Sequence, residues 1–432
     1  MRDPRRFKLG KTRRDIDAVL RRLVNDAYAH VAAFRERMDA AGVSPGAIRG
    51  VADLELLPRS SREKIAEAHP ADLLRIGTHP AACRRAQTSG TTGHPIDIFM
   101  SPAEAFYRRV LLFQAIRRNI RLPLPFTVVE VGAGAVRVSR RGPAQNLLLA
   151  RVVRISRLLP VAEQAHRASR AHPSVITGHP SCLGLLAEQL VAQKTVMAPR
   201  LVVSRGEVLQ AAMKQRLEEV FGCAVVDYYN CDEVGNVAWQ CPRDPHRLHV
   251  NTDACIVEVV DDAGSSLRGD AGRVVVTNLY NWTMPFVRYE LGDRAVLLPE
   301  NGSACRCGHR GPSLSSLEGR EGDYLWTTDG RPISPRAMGS VMAVPLLNEG
   351  GEGYAVRRFQ VVQDEDGGFH VRLIPGEGAG PGLAERVADA LRSFDPKIQV
   401  TVEFVERLDA EPSGKFRPFS SRRRPPDGGG SR

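Results

Sequence analysis

Between residues 126 and 230 short apolar runs alternate with segments of helical period. The runs 126–131, 174–177, 201–204 and 224–228 read as buried strands, and 181–193 and 209–220 as the helices that cross between them. Strands alternating with helices in this way predict a layered α/β domain with substantial parallel pairing. Upstream, residues 14–40 hold neither Gly nor Pro and alternate apolar with basic positions. That pattern predicts one surface helix with a packed stripe through Val19, Leu23, Ala27, Val31 and Phe34. A short strand is expected over 96–100, and a helix over 102–118. From 250 to 300 the chain turns strand-rich, with runs at 254–260, 273–279 and 295–298.

The stretch 319–335 is dense in Gly, Asp and Pro and reads as a domain boundary. Beyond it, a hairpin over 354–363 and 369–374, a helix over 383–394 and a strand over 398–405 predict a small α+β unit of about 100 residues. The fold class expected is therefore α/β: a large layered N-terminal domain with mixed sheets (1–320) and a small C-terminal α+β domain (321–419). Residues 420–432 are rich in Arg, Pro, Gly and Ser and are expected to be a disordered tail.

Composition adds three constraints. The 432 residues carry 60 Lys and Arg against 49 Asp and Glu, a net +11. Residues 1–22 account for +6 and residues 415–432 for +5, so the stretch between sums to neutral. A nucleic-acid binder more often shows its excess charge on a folded face, interleaved with aromatics, so no nucleic-acid partner is expected. No run approaches the roughly 18 apolar residues of a membrane span, and no apolar signal core follows the basic N-terminus, so a cytoplasmic location without membrane contact is expected. In that compartment the eight cysteines are read as thiols or metal ligands rather than disulfides.

Five clusters carry candidate chemistry. The run 88–93 (TSGTTG: Thr88, Ser89, Gly90, Thr91, Thr92, Gly93) offers hydroxyl and backbone N–H donors to phosphate oxygens, although a plain surface loop reads the same way. It lacks the Gly-Lys-Ser/Thr of a Walker A loop. Glu233 follows a buried strand, where a carboxylate meets a metal-bound phosphate. Asp293 lies in a Gly turn after Tyr289, suited to accepting bonds from a sugar diol. Arg320 and Asp323 sit at the boundary, and Lys415, one of only seven lysines, lies in a loop after the final strand.

The order TSGTTG, Tyr-x-x-x-x-Glu, Tyr-x-x-Gly-Asp, Gly-Arg-x-x-Asp and Ser-Gly-Lys resembles the adenylate-forming superfamily. Within it the chain is similar to the phenylacetate–CoA ligase branch and its capsular-polysaccharide-associated relatives. The resemblance spans roughly residues 20–420 and implies an ATP-dependent, AMP-forming carboxylate ligase. Loop 88–93 would close on the β- and γ-phosphates of ATP, and Glu233 would hold Mg²⁺. Asp293 and Arg320 would hold the ribose, and Tyr229 would stack near adenine. Lys415 would bridge the substrate carboxylate and the α-phosphate, a role suited to a lysine point charge. The small domain carrying Lys415 would then rotate away about a hinge beside Arg320 so that an acceptor can approach. Gly132, His179 and Glu207 are expected on the acid-binding side, although a structural His179 is equally compatible.

Three positions depart from the family pattern: His94 stands where Lys is usual, Asp232 where Thr is common, and Gly322 where the hinge usually has Asp or Lys. Separately, Cys241, Cys305 and Cys307 with His246 or His249 supply enough ligands for tetrahedral Zn²⁺. Some relatives in this branch hold a structural zinc in a similar arrangement, and the family's Leu-His-Val/Ile-Asn pattern favours His249. The expected acceptor is CoA. The alternatives are an acyl-adenylate-dependent amide ligase, an adenylyltransferase without thioester formation, and a degenerate non-catalytic relative. The expected partners are a small carboxylic acid and CoA or another acceptor, with the chain a monomer or homodimer.

Overall fold

The structure, a computed structural model, describes residues 4–87, 96–122, 124–133, 150–156, 158–299, 304–346, 355–376, 379–408 and 416–423. The 14–40 pattern folds as two helices, α1 (Arg13–His30) and α2 (Ala32–Ala40). The corner falls at Val31, a β-branched residue held extended at φ −124° and ψ 109°. All five stripe residues are buried as expected, but the break turns Phe34 and Met38 onto Leu279, Trp282 and Val287, which one straight helix would not reach. Helices α3 (Arg62–Glu67, capped by the Ser61 hydroxyl) and α4 (Pro70–Leu73) follow. Strands β1 (Arg84–Gln87) and β2 (Asp97–Met100) pair antiparallel on either side of residues 88–95, which lie outside the described residues. Helix α5 (Pro102–Asn119) starts at a capping box in which Ser101 and Glu104 exchange side-chain bonds.

One 11-stranded sheet forms the large unit. Its parallel half comprises β3 (Phe126–Ala133), β4 (Ala150–Ser156), β5 (Val175–Gly178), β6 (Leu201–Arg205) and β7 (Val225–Cys231). Helices α6 (Val161–Arg170), α7 (Pro180–Ala192) and α8 (Ala211–Phe221) connect these strands. Val129, Ile176, Val202 and Val225 face these helices, whereas Val128, Val175, Val203 and Tyr228 face α5. Burial on both faces is why these strands read as continuous apolar runs. The antiparallel half adds β8 (Gly235–Cys241), β9 (Asp244–Val250), β10 (Cys255–Val260), β11 (Ala271–Asn278), β12 (Tyr289–Leu297) and β13 (Ser313–Arg320).

Leu325 opens a separate core shared by β14 (Leu325–Trp326), β15 (Pro332–Ile333), α9 (Pro335–Leu346), β16 (Val356–Gln363), β17 (Phe369–Pro375), α10 (Leu383–Arg392), β18 (Val400–Phe404) and β19 (Phe419–Ser421). Its sheet runs β18-β17-β16-β19. The tail expectation needs one correction, because Ser420 and Ser421 pair with Val362 and Gln363 as part of β19. Phe419, fully buried against Phe359, anchors that strand, so the Ser- and Arg-rich composition understated the order there. The architecture is the expected one, a large α/β unit with a mixed sheet and a smaller α+β unit. Among the described residues no helix is long and apolar enough to cross a membrane.

Candidate active site

A cleft of about 680 Å³ opens at the carboxyl ends of β6 and β7. Crevices at the carboxyl ends of parallel strands are where open α/β sheets bind ligands. Three groups of side chains are disposed about it: the first and third line it, whereas Glu233, the centre of the second, does not. The first is Tyr229, Asp293 and Arg320. Asp293 and Arg320 are register partners on β12 and β13, and the Tyr229 hydroxyl donates to Asp293 Oδ2 at 2.6 Å. Arg320 Nε lies 3.4 Å from Asp293 Oδ1. The expected sugar-binding pair is therefore brought together. Tyr229, assigned only a stacking role by the resemblance, also fixes the carboxylate's orientation.

The second group centres on Glu233, in the turn between β7 and β8. Its side chain is buried and accepts from the Tyr289 hydroxyl at 3.3 Å. Burial, followed by the nearby Asp232 charge, raises its carboxyl above the ordinary value. A carboxylate disfavoured in this way gains from a divalent cation, so the residues present fit Mg²⁺. Asp232 turns the other way, half exposed and 3.8 Å from Arg108.

The third group joins the two units. Glu207 accepts from Ser181 N at 3.1 Å and Ser181 Oγ at 3.0 Å, at the N-terminus of α7. It also accepts from Phe416 N at 3.2 Å. Burial raises the Glu207 carboxyl against these bonds. Arg417 reaches back to the Gly322 carbonyl at 2.9 Å and ion-pairs with Asp323. Lys415 lies outside the described residues, as do Thr88, Ser89, Gly90, Thr91, Thr92, Gly93 and His94. Phe416, immediately after Lys415, is nonetheless held at the rim of the cleft.

His179 and Gly132 sit one layer behind this wall. A Cβ on Gly206 would come within 2.8 Å of the His179 ring, and one on Gly132 within 2.9 Å of Cys182 Sγ. Both glycines have positive φ (+82° and +84°), so the imidazole packs against backbone that only glycine allows. His179 Nδ1 is 3.6 Å from Glu207 Oε1. Among the described residues, Gly206 and Glu207 line the cleft while His179 and Gly132 do not.

Among the lining residues that the sequence did not announce is Asp227 on β7. Burial drives its carboxyl up to about 7, with Ser204 and Lys214 pulling the other way. It directly precedes the Tyr-x-x-x-x-Glu motif, but a lone acid within an apolar strand carries no spacing signal. A carboxyl raised by folding stabilises the native state in its neutral form, and that contribution is lost as pH rises towards 7. The melting temperature of the wild type relative to Asp227→Asn should therefore fall between pH 5 and 8. A pH-independent difference would contradict this placement.

Cys241, His249, Cys305 and Cys307 bring their ligand atoms within 4.8 Å of one another. His249 Nε2 is 3.1 Å from Cys307 Sγ, and its Nδ1 is 2.9 Å from Ser313 Oγ, which fixes the ring. His246 is exposed and takes no part. Three thiols and an oriented imidazole are a donor set that fits tetrahedral Zn²⁺.

The architecture is that of the acyl-CoA ligases of known structure. The structure matches a 2-hydroxyisobutyryl-CoA ligase in its postadenylation state with a TM-score of 0.78 at 19% identity, over 98% of this chain and 93% of that one. Against the same ligase in its thioesterification state the TM-score is 0.64, over 96% and 92%. Within that class the chain resembles the phenylacetate–CoA ligase branch. It is 27% identical to the phenylacetate–coenzyme A ligase of Thermus thermophilus over 317 residues, 71% of this chain and 69% of that protein. It is 20% identical to the CapK protein of Staphylococcus aureus over 58% of this chain and 53% of that one. No family model matches the chain.

Proposed function

We propose that this protein is an ATP-dependent, AMP-forming carboxylate ligase that transfers its acyl group to CoA. The observation that carries the reading is the convergence of the Tyr229–Asp293–Arg320 group and the Glu207–Phe416 junction on one cleft, with Glu233 near enough to Arg320 for their charges to interact. In the first half-reaction the acid's carboxylate oxygen attacks the α-phosphorus of ATP, giving acyl-AMP and pyrophosphate. In the second, the CoA thiolate attacks the acyl carbon and AMP leaves.

Asp293, oriented by Tyr229 and Arg320, accepts the ribose hydroxyls. The Asp227 carboxyl, which lines the cleft and stays protonated below about pH 7, offers a partner to the adenine edge. Bound Mg²⁺ would supply charge neutralisation at the phosphate oxygens, with Glu233 holding it. Loop 88–93 would add donors to the same phosphates, and Lys415 would meet the charge that builds during attack. Lys415 belongs to the small unit (321–419) and the ribose pair to the large one, so the Glu207–Phe416 contact is the one to break when the small unit rotates, whereas the Asp323–Arg417 pair lies within it and would move with it. The higher TM-score against the postadenylation form supports assigning the present arrangement to the first half-reaction. Zn²⁺ bound by Cys241, His249, Cys305 and Cys307 would serve structure, since all four ligands come from the protein.

Asp293→Ala should raise the KM for ATP about 10- to 100-fold, as expected for losing a charged acceptor worth about 1.5–3 kcal/mol. The KM for the acid should move little. Incubation with ATP, Mg²⁺, a reactive acid and CoA should yield a thioester by mass spectrometry. An amide, or adenylate alone, under the same conditions with amines present would reject CoA as the acceptor.

A further inference from the structure

The neutral charge sum of the middle of the chain conceals a basic stretch. Residues 84–157 carry thirteen arginines and no lysine against three acids, Asp97, Glu104 and Glu130. Asp97 is taken by Arg85 at 2.6 Å. Glu104 is buried against Arg6 at 3.1 Å, Trp282 N at 3.0 Å and Thr283 Oγ1 at 2.6 Å. Only Glu130 remains, and several arginines crowd it.

Glu130 lies on β3 in register with Arg154 on β4 and Thr177 on β5. Arg154 Nε donates to Glu130 Oε2 at 2.8 Å. Arg205, at the end of β6, bonds Glu130 Oε1 and donates from Nε to Thr177 Oγ1 at 3.1 Å. Burial pushes the Glu130 carboxyl up, yet Arg205 and Arg154 together hold it below the ordinary range. Arg109 on α5 lies within electrostatic range of the same group. Its charge is disfavoured by burial and then by Arg154 and Arg84, with Glu130 the opposing charge, and it makes no hydrogen bond or ion pair among the described residues. Two guanidiniums thus share one carboxylate, with a third in electrostatic range of it. Residues 88–95 and 134–149 contain no Asp or Glu, so those segments bring no balancing charge.

Two further facts give this surplus a direction. The side chains of Arg154, Glu130 and Arg205 are 36%, 20% and 23% exposed, within reach of a ligand from solvent. Arg109, Glu130, Arg154 and Arg205 do not themselves line the cleft, but Arg205 directly precedes Gly206 and Glu207 and pairs in register with Tyr228, and these three neighbours do. Guanidiniums held together without matching counter-charge form a site for a planar or tetrahedral anion, which they bind through paired N–H donors.

We propose that the acid adenylated here is a dianion, whose second anionic group, a carboxylate or a phosphate, is received by Arg109, Arg154 and Arg205. The proposal rests on the ligase reading for the first carboxylate. The same cations would also attract the terminal phosphates of ATP, so the test separates the two sources.

Pyrophosphate release is measured with matched acids: 4-carboxyphenylacetate against phenylacetate, and glutarate against butyrate. Wild type should prefer at least one dianion by tenfold or more in kcat/KM. Arg109→Gln and Arg154→Gln should each cut that preference at least tenfold while leaving the KM for ATP and the rate with the monoanion unchanged. A preference for the monoanions, or an equal loss for both classes with a raised KM for ATP, would overturn the proposal, the latter assigning the arginines to ATP. If no acid releases pyrophosphate, the ligase reading fails, and calorimetry without ATP still decides the subsite. Saturable binding of 4-carboxyphenylacetate, weakened at least tenfold in Arg154→Gln, supports it, and no binding to wild type overturns it.

Discussion

Lys415→Ala should lower carboxylate-dependent pyrophosphate release about 10²- to 10³-fold, the scale of removing one preorganised group that meets transition-state charge. Lys415 would supply a cation to oxygens that gain charge as the carboxylate attacks the α-phosphorus. The Phe416 N–H bond to Glu207 and the Arg417 contacts at Gly322 and Asp323 hold the neighbouring backbone at the cleft. Preorganisation of this neighbouring backbone is the basis for expecting one charge to be worth so much. Because the small unit is proposed to leave for the second half-reaction, thioester formation from preformed acyl-adenylate should stay near the wild-type rate. ATP binding should also survive, since Asp293 and Arg320 are untouched. Equal losses in both half-reactions would place Lys415 in a structural role instead.

The second large effect concerns the Cys/His cluster. The purified protein should carry about one Zn per chain by metal analysis, and the Cys305→Ser, Cys307→Ser double variant none. Cys241 ends β8, His249 lies on β9, and Cys305 and Cys307 precede β13, so a shared ion would tie two neighbouring strands to the loop that leads into β13. His249 pairs with Ser313 across β9 and β13, and the same ladder leads to Arg320 at the ribose site. Structural zinc contributes directly to folding free energy. A loss of several kcal/mol should lower the melting temperature on the order of 10 °C, at about 2–4 °C per kcal/mol for a domain of this size. A metal-free wild type, or a double variant that melts with it, would remove zinc from the account.

How much of this could be read from the chain depends on how locally each feature is encoded. Strands β3, β5, β6 and β7 were legible because both faces are buried, and apolar runs survive without any partner being known. Strand β8 was not, because Asn236 and Gln240 are buried polar residues satisfied by partners from elsewhere, such as the Pro245 carbonyl. Strand β4 was hidden by Arg151 and Arg154 at the sheet edge. The corner at Val31 was invisible because helical period persists through it, and only contacts with residues 279–287 require the turn.

The site divides the same way. Asp293 and Arg320 are recognisable as motif members, but their pairing across β12 and β13 is a matter of register. The choice of His249 over His246 followed the family pattern, and burial on β9 brings the same residue to the three thiols. Glu130, Arg109, Arg154 and Arg205 come from four elements, so no spacing in the sequence announces them. A sum over the middle of the chain cancelled their charge altogether.

The most direct test of the central claim is ATP- and Mg²⁺-dependent pyrophosphate release across a broad panel of carboxylic acids, including the matched mono- and dianions, with no acceptor present. Saturable release with at least one acid, accompanied by acyl-AMP at the protein and reduced in Lys415→Ala, is the predicted result. No release above the acid-free rate with any member of the panel, from folded protein that still binds ATP, would contradict it.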